Sequence, residues 1–302
     1  MPELPDVELY LSALRSHVGG ERLNRARLAS PFLLRSVDPP LDALHGRRVE
    51  GFERLGKRIV WRFEDDLFAV IHLMIAGRLR WREPGAAIPG KVGLLALDFD
   101  KGTILMTEAG SRRQASLHVV RGRAAVDAFD PGGADVASLT ADAFAGILRR
   151  ENHTLKRALT DPHLFSGIGN AYSDEILHAA RLSPMKLTDA ITDDEAAALH
   201  RVAIDVLDRW KQQLIEENGP GFPEKVTAFR EGMAAHGRYG KPCPVCGTPI
   251  QRIVYAHNEA NYCPACQTGG RLLADRALSR LLKRDWPSNL DAFERAKEAR
   301  KR

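Results

Sequence analysis

Apolar residues recur at Val7, Leu11, Leu14 and Val18, the spacing of one helical face, and Gly19-Gly20 stops the run. The pattern predicts a helix over about residues 6–18, with Pro5 at its first position. From 23 to 120 the period changes to short β-rich segments. Residues 48–63 and 67–82 read as strands around an Asp65-Asp66 turn. Residues 92–99 and 103–107 flank Asp100-Lys101-Gly102, a hairpin signal, and 116–120 closes the series. The expectation is an antiparallel sandwich or barrel with the first helix packed on it.

Residues 121–139 contain Asp130-Pro131-Gly132-Gly133 and few large apolar groups, so they read as a linker. Beyond it the apolar period is helical. Thr140 caps a helix to about 151, a second covers 154–159, and a third runs from Asn170 to about 180. Thr192-Asp193-Asp194-Glu195 is a capping box opening a helix through 217, and Gly219-Pro220-Gly221-Phe222-Pro223 ends that block. No internal repeat or low-complexity tract is visible.

Composition adds three constraints. At 302 residues, 44% hydrophobic and 27% charged, the chain has the length of two domains and an ordinary globular makeup. No apolar run reaches membrane-spanning length and the acidic N-terminus is wrong for a signal peptide, so a cytoplasmic protein is expected. The net charge of +5 points to a polyanionic partner, yet residues 268–302 carry ten basic and five acidic residues, the whole excess. A nucleic-acid surface on the body therefore requires charge segregated on one face. The tail itself reads either as a solvated basic extension or as a DNA contact, with Lys283-Arg284 just before Trp286.

Several stretches carry candidate chemistry. If Met1 is removed, Pro2 becomes a terminal secondary amine; α-amino groups titrate at about 7.7–8.0, so part of it is an uncharged nucleophile at neutral pH. Glu3 beside it could move protons. Read by itself, the same stretch is also a rigid helix lead-in, with Asp6 and Glu8 complementing the helix dipole. All four cysteines stand as Cys243-Pro-Val-Cys246 and Cys263-Pro-Ala-Cys266 with sixteen intervening residues, the spacing of a structural tetrathiolate zinc site; two disulfides are the alternative. Gly167-Ile168-Gly169-Asn170 opens a helix, where free N–H donors favour phosphate. Gly56-Lys57-Arg58 within a strand, His72 and Arg112-Arg113 say little one at a time.

Together and in this order, these pieces resemble the bacterial formamidopyrimidine-DNA glycosylase and endonuclease VIII group. The resemblance rests on Met-Pro-Glu-Leu-Pro, Gly56-Lys57, the segment from His72-Leu73 to Gly77, and Gly-Ile-Gly-Asn-Ala-Tyr followed by Asp174-Glu175. His236 through Tyr239-Gly240-Lys241-Pro242 into Cys243, Gly247-Thr248-Pro249-Ile250 and the cysteines complete it, so it covers about residues 1–267. It implies an α+β protein: an N-terminal β-sandwich with its helix (1–120), a linker (121–139), a helix-two-turn-helix domain (140–235) and a zinc finger (236–267); the basic extension (268–302) lies outside it. It implies a bifunctional DNA glycosylase/AP lyase acting as a monomer on kinked, damaged double-stranded DNA with the lesion flipped out. By the family pattern Pro2 attacks C1′, Glu3 is the general acid/base, and Lys57 contacts the neighbouring phosphate or assists proton transfer. His72, Arg112, Arg113, Lys156, Gly167, Gly169, Asn170 and Asn258 match DNA-contacting positions. Cys243, Cys246, Cys263 and Cys266 would hold one structural zinc. In the cell such a protein would sit in the cytoplasm, on the nucleoid when acting on DNA.

Three positions depart from the family pattern. Asn258 stands where an arginine clamps the phosphate flanking the lesion, and asparagine brings neither charge nor a bidentate fork. Ile75 replaces the intercalating methionine in His72-Leu73-Met74-Ile75-Ala76-Gly77. Gln114 replaces the aromatic of the family wedge in Arg112-Arg113-Gln114-Ala115. The loop between the last helix and the zinc knuckle, which touches 8-oxoguanine in the family, is also short. The catalytic end is kept while the damage-reading surface has changed. Two further readings stand beside the enzyme: a non-cleaving binder of abasic or distorted DNA on this scaffold, and an N-terminal-proline tautomerase, which needs neither a zinc hairpin nor a phosphate loop.

Overall fold

A computed structural model describes residues 1–110, 112–255 and 258–273, together with 287, 289, 292 and 295. The chain divides into two compact units, residues 1–133 with 208–228, and residues 134–207 with 229–302.

The first unit opens with α1 (Leu4–Val18), which starts earlier than the apolar period suggests, with Glu3 as its N-cap and a Glu3–Asp6 capping box that spans Leu4-Pro5. Val7, Tyr10, Leu11, Leu14 and Val18 are fully buried, each contributing about 1.5–3 kcal/mol by leaving water. β1 (Arg25–Leu28), β2 (Val49–Leu55), β3 (Arg58–Phe63), β4 (Leu67–His72), β5 (Gly77–Arg82), β6 (Gly93–Phe99), β7 (Gly102–Glu108) and β8 (Ser116–Arg121) follow. They form two antiparallel four-stranded sheets, β1-β6-β7-β5 and β2-β3-β4-β8. Between them Trp61 of β3 stacks on Phe99 of β6 at 6.3 Å, which settles the sandwich.

Each of the first two expected strands is in fact a pair. Residues 48–63 are divided at Gly56, whose φ of +61° suits a two-residue hairpin turn closed by Leu55 and Arg58. Lys57 therefore sits in a turn, not within a strand. Residues 67–82 are divided at 73–76, where Gly77 N–H closes onto Leu73 O at 2.9 Å. A Cβ at Gly77 would lie 2.2 Å from that oxygen, so only glycine fits. The Asp65-Asp66 turn is as expected, both residues at positive φ. The expected linker is partly structured: α2 (Arg123–Asp127) buries Val126 against Val60, Phe68 and Val70 on the outer face of the second sheet.

The second unit begins with α3 (Ala141–Leu148), α4 (Leu155–Thr160) and α5 (Asn170–Ala179), the first two capped by the Thr140 and Thr154 side chains. α6 (Asp193–Asn218) starts at the expected box, Thr192 N–H to Glu195 Oε2 at 2.9 Å and Glu195 N–H to Thr192 Oγ1 at 3.2 Å. It runs from one unit into the other, so residues 208–228 group with the sandwich and not with the helical block expected over 140–235. In that segment Glu224 accepts from Arg80 (3.0 Å) and Arg82 (2.6 Å), and Phe222 packs edge-on against His17 at 5.5 Å. The zinc module comprises β9 (Gln251–Tyr255), β10 (Asn258–Tyr262) and α7 (Pro264–Thr268). The start of the tail packs on it, Leu272 and Leu273 buried and Leu273 N–H on the Tyr262 hydroxyl at 2.8 Å. Lys283, Arg284 and Trp286 lie outside the described residues.

Candidate active site and nucleic-acid interface

In the first unit the chemistry gathers at the start of α1. Pro2 is buried and Glu3 is 3% exposed, its backbone N–H donating to Asp6 Oδ2 at 2.9 Å. Burial lowers the Met1 ammonium below its ordinary value; Glu3 and Asp6 oppose the shift, while Arg78 and Lys57 add to it. The N-terminus, Glu3, Lys57 and Arg78 thus share one electrostatic neighbourhood. Arg78, the second residue of β5, had no place in the sequence reading. The helix is fixed to the sheets by Tyr10, whose buried hydroxyl accepts from Leu79 N–H (3.4 Å), and by Arg54–Glu8 (3.1 Å).

His72 ends β4, opposite Arg58 on one side and Ser116 on the other. Burial lowers its pKa to about 4, with Arg58 and Lys57 adding to the shift. Its Nε2 is buried without a hydrogen-bond partner among the described residues. At neutral pH this ring offers a hydrogen bond but no charge. The turn that follows holds Met74 at φ +53° and presents Ile75, 65% exposed, at its apex. Arg112, Arg113 and Gln114 are exposed on the β7–β8 loop, with Arg113 donating to Lys91 O at 2.6 Å. That loop is held by buried Glu108, whose carboxylate accepts from the N–H groups of Gln114 (3.0 Å) and Ala115 (3.2 Å).

In the second unit Gly167, at φ +81°, and Gly169 lead into α5, leaving Asn170 half-buried as its first residue. The N-terminal end of this helix carries the positive end of its dipole toward the loop. Lys156 is not an exposed grip. It is 2% exposed, and its ammonium donates to Asn170 O (2.6 Å) and Asp174 Oδ1 (2.5 Å). A buried lysine needs such partners, so Lys156 orders the loop from beneath. Asp174 also takes His236 Nδ1 at 2.8 Å. The neighbouring Glu175 carboxylate accepts from the N–H groups of Ala234 (2.7 Å), Ala235 (2.8 Å) and His236 (2.9 Å). The sequence reading quoted Asp174-Glu175 without a role; acids on a helix with no exposed face were the available signal.

The four cysteines are free of disulfides, and their sulfurs all lie within 4.8 Å of one another. Cys243–Cys266 is 4.0 Å and Cys246–Cys263 is 3.4 Å, against about 3.8 Å for sulfurs on a tetrahedral ion with Zn–S of about 2.3 Å. Burial raises the thiols of Cys263 and Cys266, the latter to about 11, whereas hydrogen bonding from Thr248 lowers Cys246 to about 6; a bound cation would favour the thiolate at all four. This donor set fits one structural zinc and leaves no open coordination position. Asn258 is the first residue of β10, paired with Tyr255. Arg252, on the facing strand, lies over the Tyr239 ring at 4.4 Å and 3.5 Å from Glu259.

The formamidopyrimidine-DNA glycosylase N-terminal domain model matches residues 1–116, its H2TH domain model residues 131–215, and a zinc finger found in FPG and IleRS residues 240–269. Fold and site together define a DNA-repair glycosylase with a structural zinc finger. A formamidopyrimidine-DNA glycosylase of Exiguobacterium sibiricum is 30% identical over 284 residues, 88% of this chain and 99% of that one. An uncharacterized formamidopyrimidine-DNA glycosylase-like protein of Mycobacterium tuberculosis is 39% identical over 151 residues, 50% of this chain and 94% of that one. The crystal structure of Lactococcus lactis formamidopyrimidine-DNA glycosylase, non-covalently bound to DNA containing an AP site, shares the fold. Its TM-score is 0.77 at 24% identity, with 88% of this chain and 99% of that one covered. The chain belongs to the formamidopyrimidine-DNA glycosylase family, as the resemblance in its motifs implies.

Proposed function

We propose that this protein is a bifunctional DNA glycosylase/AP lyase whose nucleophile is the amine of Pro2 once Met1 is removed. The observation that carries the reading is the placement of buried Pro2 and Glu3 at a chain end whose charge neighbours include Arg78 and Lys57. An uncharged secondary amine attacks C1′ of a damaged or abasic nucleotide. Where a base is present it leaves with its bonding electrons, protonated by Glu3 or water, and the sugar ring opens to an iminium. The iminium is an electron sink that acidifies the C2′ proton. Its removal, followed by loss of the 3′ phosphate, breaks the strand, and water then hydrolyses the imine to free Pro2. Lys57 assists at the adjacent phosphate, and Arg78 adds positive charge near the chain's N-terminus. Asn170 and the Gly167–Gly169 loop grip the backbone, His72, Arg112 and Arg113 add contacts, and the protein works as a monomer on damaged duplex DNA. Lys156 is a positioning residue that acts through Asn170.

Ile75, Gln114 and Asn258 replace the groups that stabilise an extruded base, so the lesion range differs from that of the family's 8-oxoguanine enzymes. The same departures favour a second reading, a non-cleaving binder of abasic DNA. A duplex with one abasic site separates the two. Processed protein is expected to cut it, and protein extended before Pro2 to leave it intact. Equal cutting by both would overturn the Pro2 reading. Tight binding by processed protein without cutting would establish the second.

A further inference from the structure

The buried face of α5 carries a further polar group that neither the phosphate loop nor the Asp174-Glu175 pair explains. His178 lies one turn beyond Asp174, 5% exposed, with its Nε2 3.2 Å from Cys243 Sγ. We propose that His178 is a positioning residue that fastens the zinc centre to the phosphate-binding helix by donating its Nε2–H to the Cys243 thiolate.

The chemistry of the donor set fixes the direction of this bond. A metal-bound thiolate has no proton to give and only accepts, so Nε2 carries the hydrogen. Four thiolates on a divalent cation leave a net charge of about −2 on the cluster, and donors aimed at the sulfurs offset that charge. Cys243 also accepts from Val245 N–H at 3.4 Å within its own knuckle, and Cys263 from Cys266 N–H at 3.5 Å. His178 differs from these in coming from another element. Its helix begins at Asn170, about 12 Å away at about 1.5 Å per residue. Asp174, on the same face one turn earlier, binds Lys156, whose ammonium also holds Asn170 O. Zinc, Cys243, His178, Asp174, Lys156 and the Gly167–Asn170 loop thus form one run of contacts along a single rigid helix. Filling the metal site orders the phosphate loop through this run. That last step rests on the phosphate reading of the loop; the bond to the thiolate stands without it.

The test uses the full chain with His178→Phe, which keeps an aromatic ring and removes the donor, and His178→Gln, which restores an N–H. With cobalt in the site, the sulfur-to-metal charge-transfer band is expected at longer wavelength in His178→Phe and back near the wild-type position in His178→Gln. Zinc affinity by chelator competition is expected to fall about tenfold in His178→Phe and to recover in His178→Gln. Wild-type protein loaded with NMR-active cadmium gives a readout free of any folding defect, a slowly exchanging His178 Nε2 proton coupled to the metal. No such coupling, or cobalt bands that do not move, would overturn the proposal. A moved band together with zinc-saturated His178→Phe that binds an abasic-site analogue duplex as tightly as wild type would uphold the bond and refute the ordering of the loop through it.

Discussion

Glu175→Ala leaves three backbone N–H groups without their acceptor. Ala234, Ala235 and His236 all donate to this one carboxylate, 4% exposed, at 2.7–2.9 Å. Orphaning a buried donor costs about 1–3 kcal/mol, and partial rehydration around a truncated side chain brings the total to about 3–5 kcal/mol. That is a large share of the stability of a domain, about 5–15 kcal/mol. The loss falls on the strand of chain that leads into Cys243, so zinc release in urea with a chromogenic chelator reports it directly. The midpoint is expected to fall steeply in Glu175→Ala. Glu175→Gln keeps one acceptor oxygen and turns an amide N–H toward one of the three donors, so it should fall between the alanine variant and wild type. A Glu175→Ala midpoint within about 0.5 kcal/mol of wild type would refute the view that this carboxylate secures the entry to the zinc module, since that is the range of ordinary surface changes.

Two other expectations follow from single residues. His72 has a folded pKa of about 4 against 6.5 in the unfolded chain, so its neutral form is favoured on folding and stability falls as pH drops from about 6.5 to 4. At pH 4 wild type should have lost about 2–3 kcal/mol more than His72→Gln relative to pH 7.5; parallel pH profiles would exclude this. Asn258→Arg should raise affinity for lesion DNA and steepen its salt dependence by about one phosphate contact, and equal salt slopes would mean that another group already clamps that phosphate.

What the sequence disclosed was what short range decides. Thr140 and the Thr192–Glu195 box cap helices where their spacing to the apolar period says they should. The cysteine pairs converge because each knuckle is a local turn, and the Asp65-Asp66 turn follows from residues that tolerate positive φ. Lys57 was misplaced because a two-residue hairpin leaves the β-rich texture of Leu55 and Arg58 unbroken. α2 escaped notice because Val126 is apolar in the service of a distant sheet face. Lys156 reads as a phosphate ligand until Asp174, eighteen residues on, is seen to hold it. His178 and Glu175 find their partners sixty or so residues away, at Cys243 and Ala234–His236, through folding that no local period records. Site residues whose work is done through the backbone of another segment were the ones least visible.

The central claim is that the chain's own N-terminal amine forms the covalent bond to DNA. Borohydride reduction of protein with intact-mass proof of Met1 removal, mixed with a duplex carrying one abasic site, followed by proteolysis and mass spectrometry of the DNA-linked peptide, tests it most directly. The reduced sugar is expected on the nitrogen of Pro2, with no adduct when residues precede Pro2. An adduct on Lys57 or another lysine, or an N-terminally extended protein that traps DNA equally well, would contradict it.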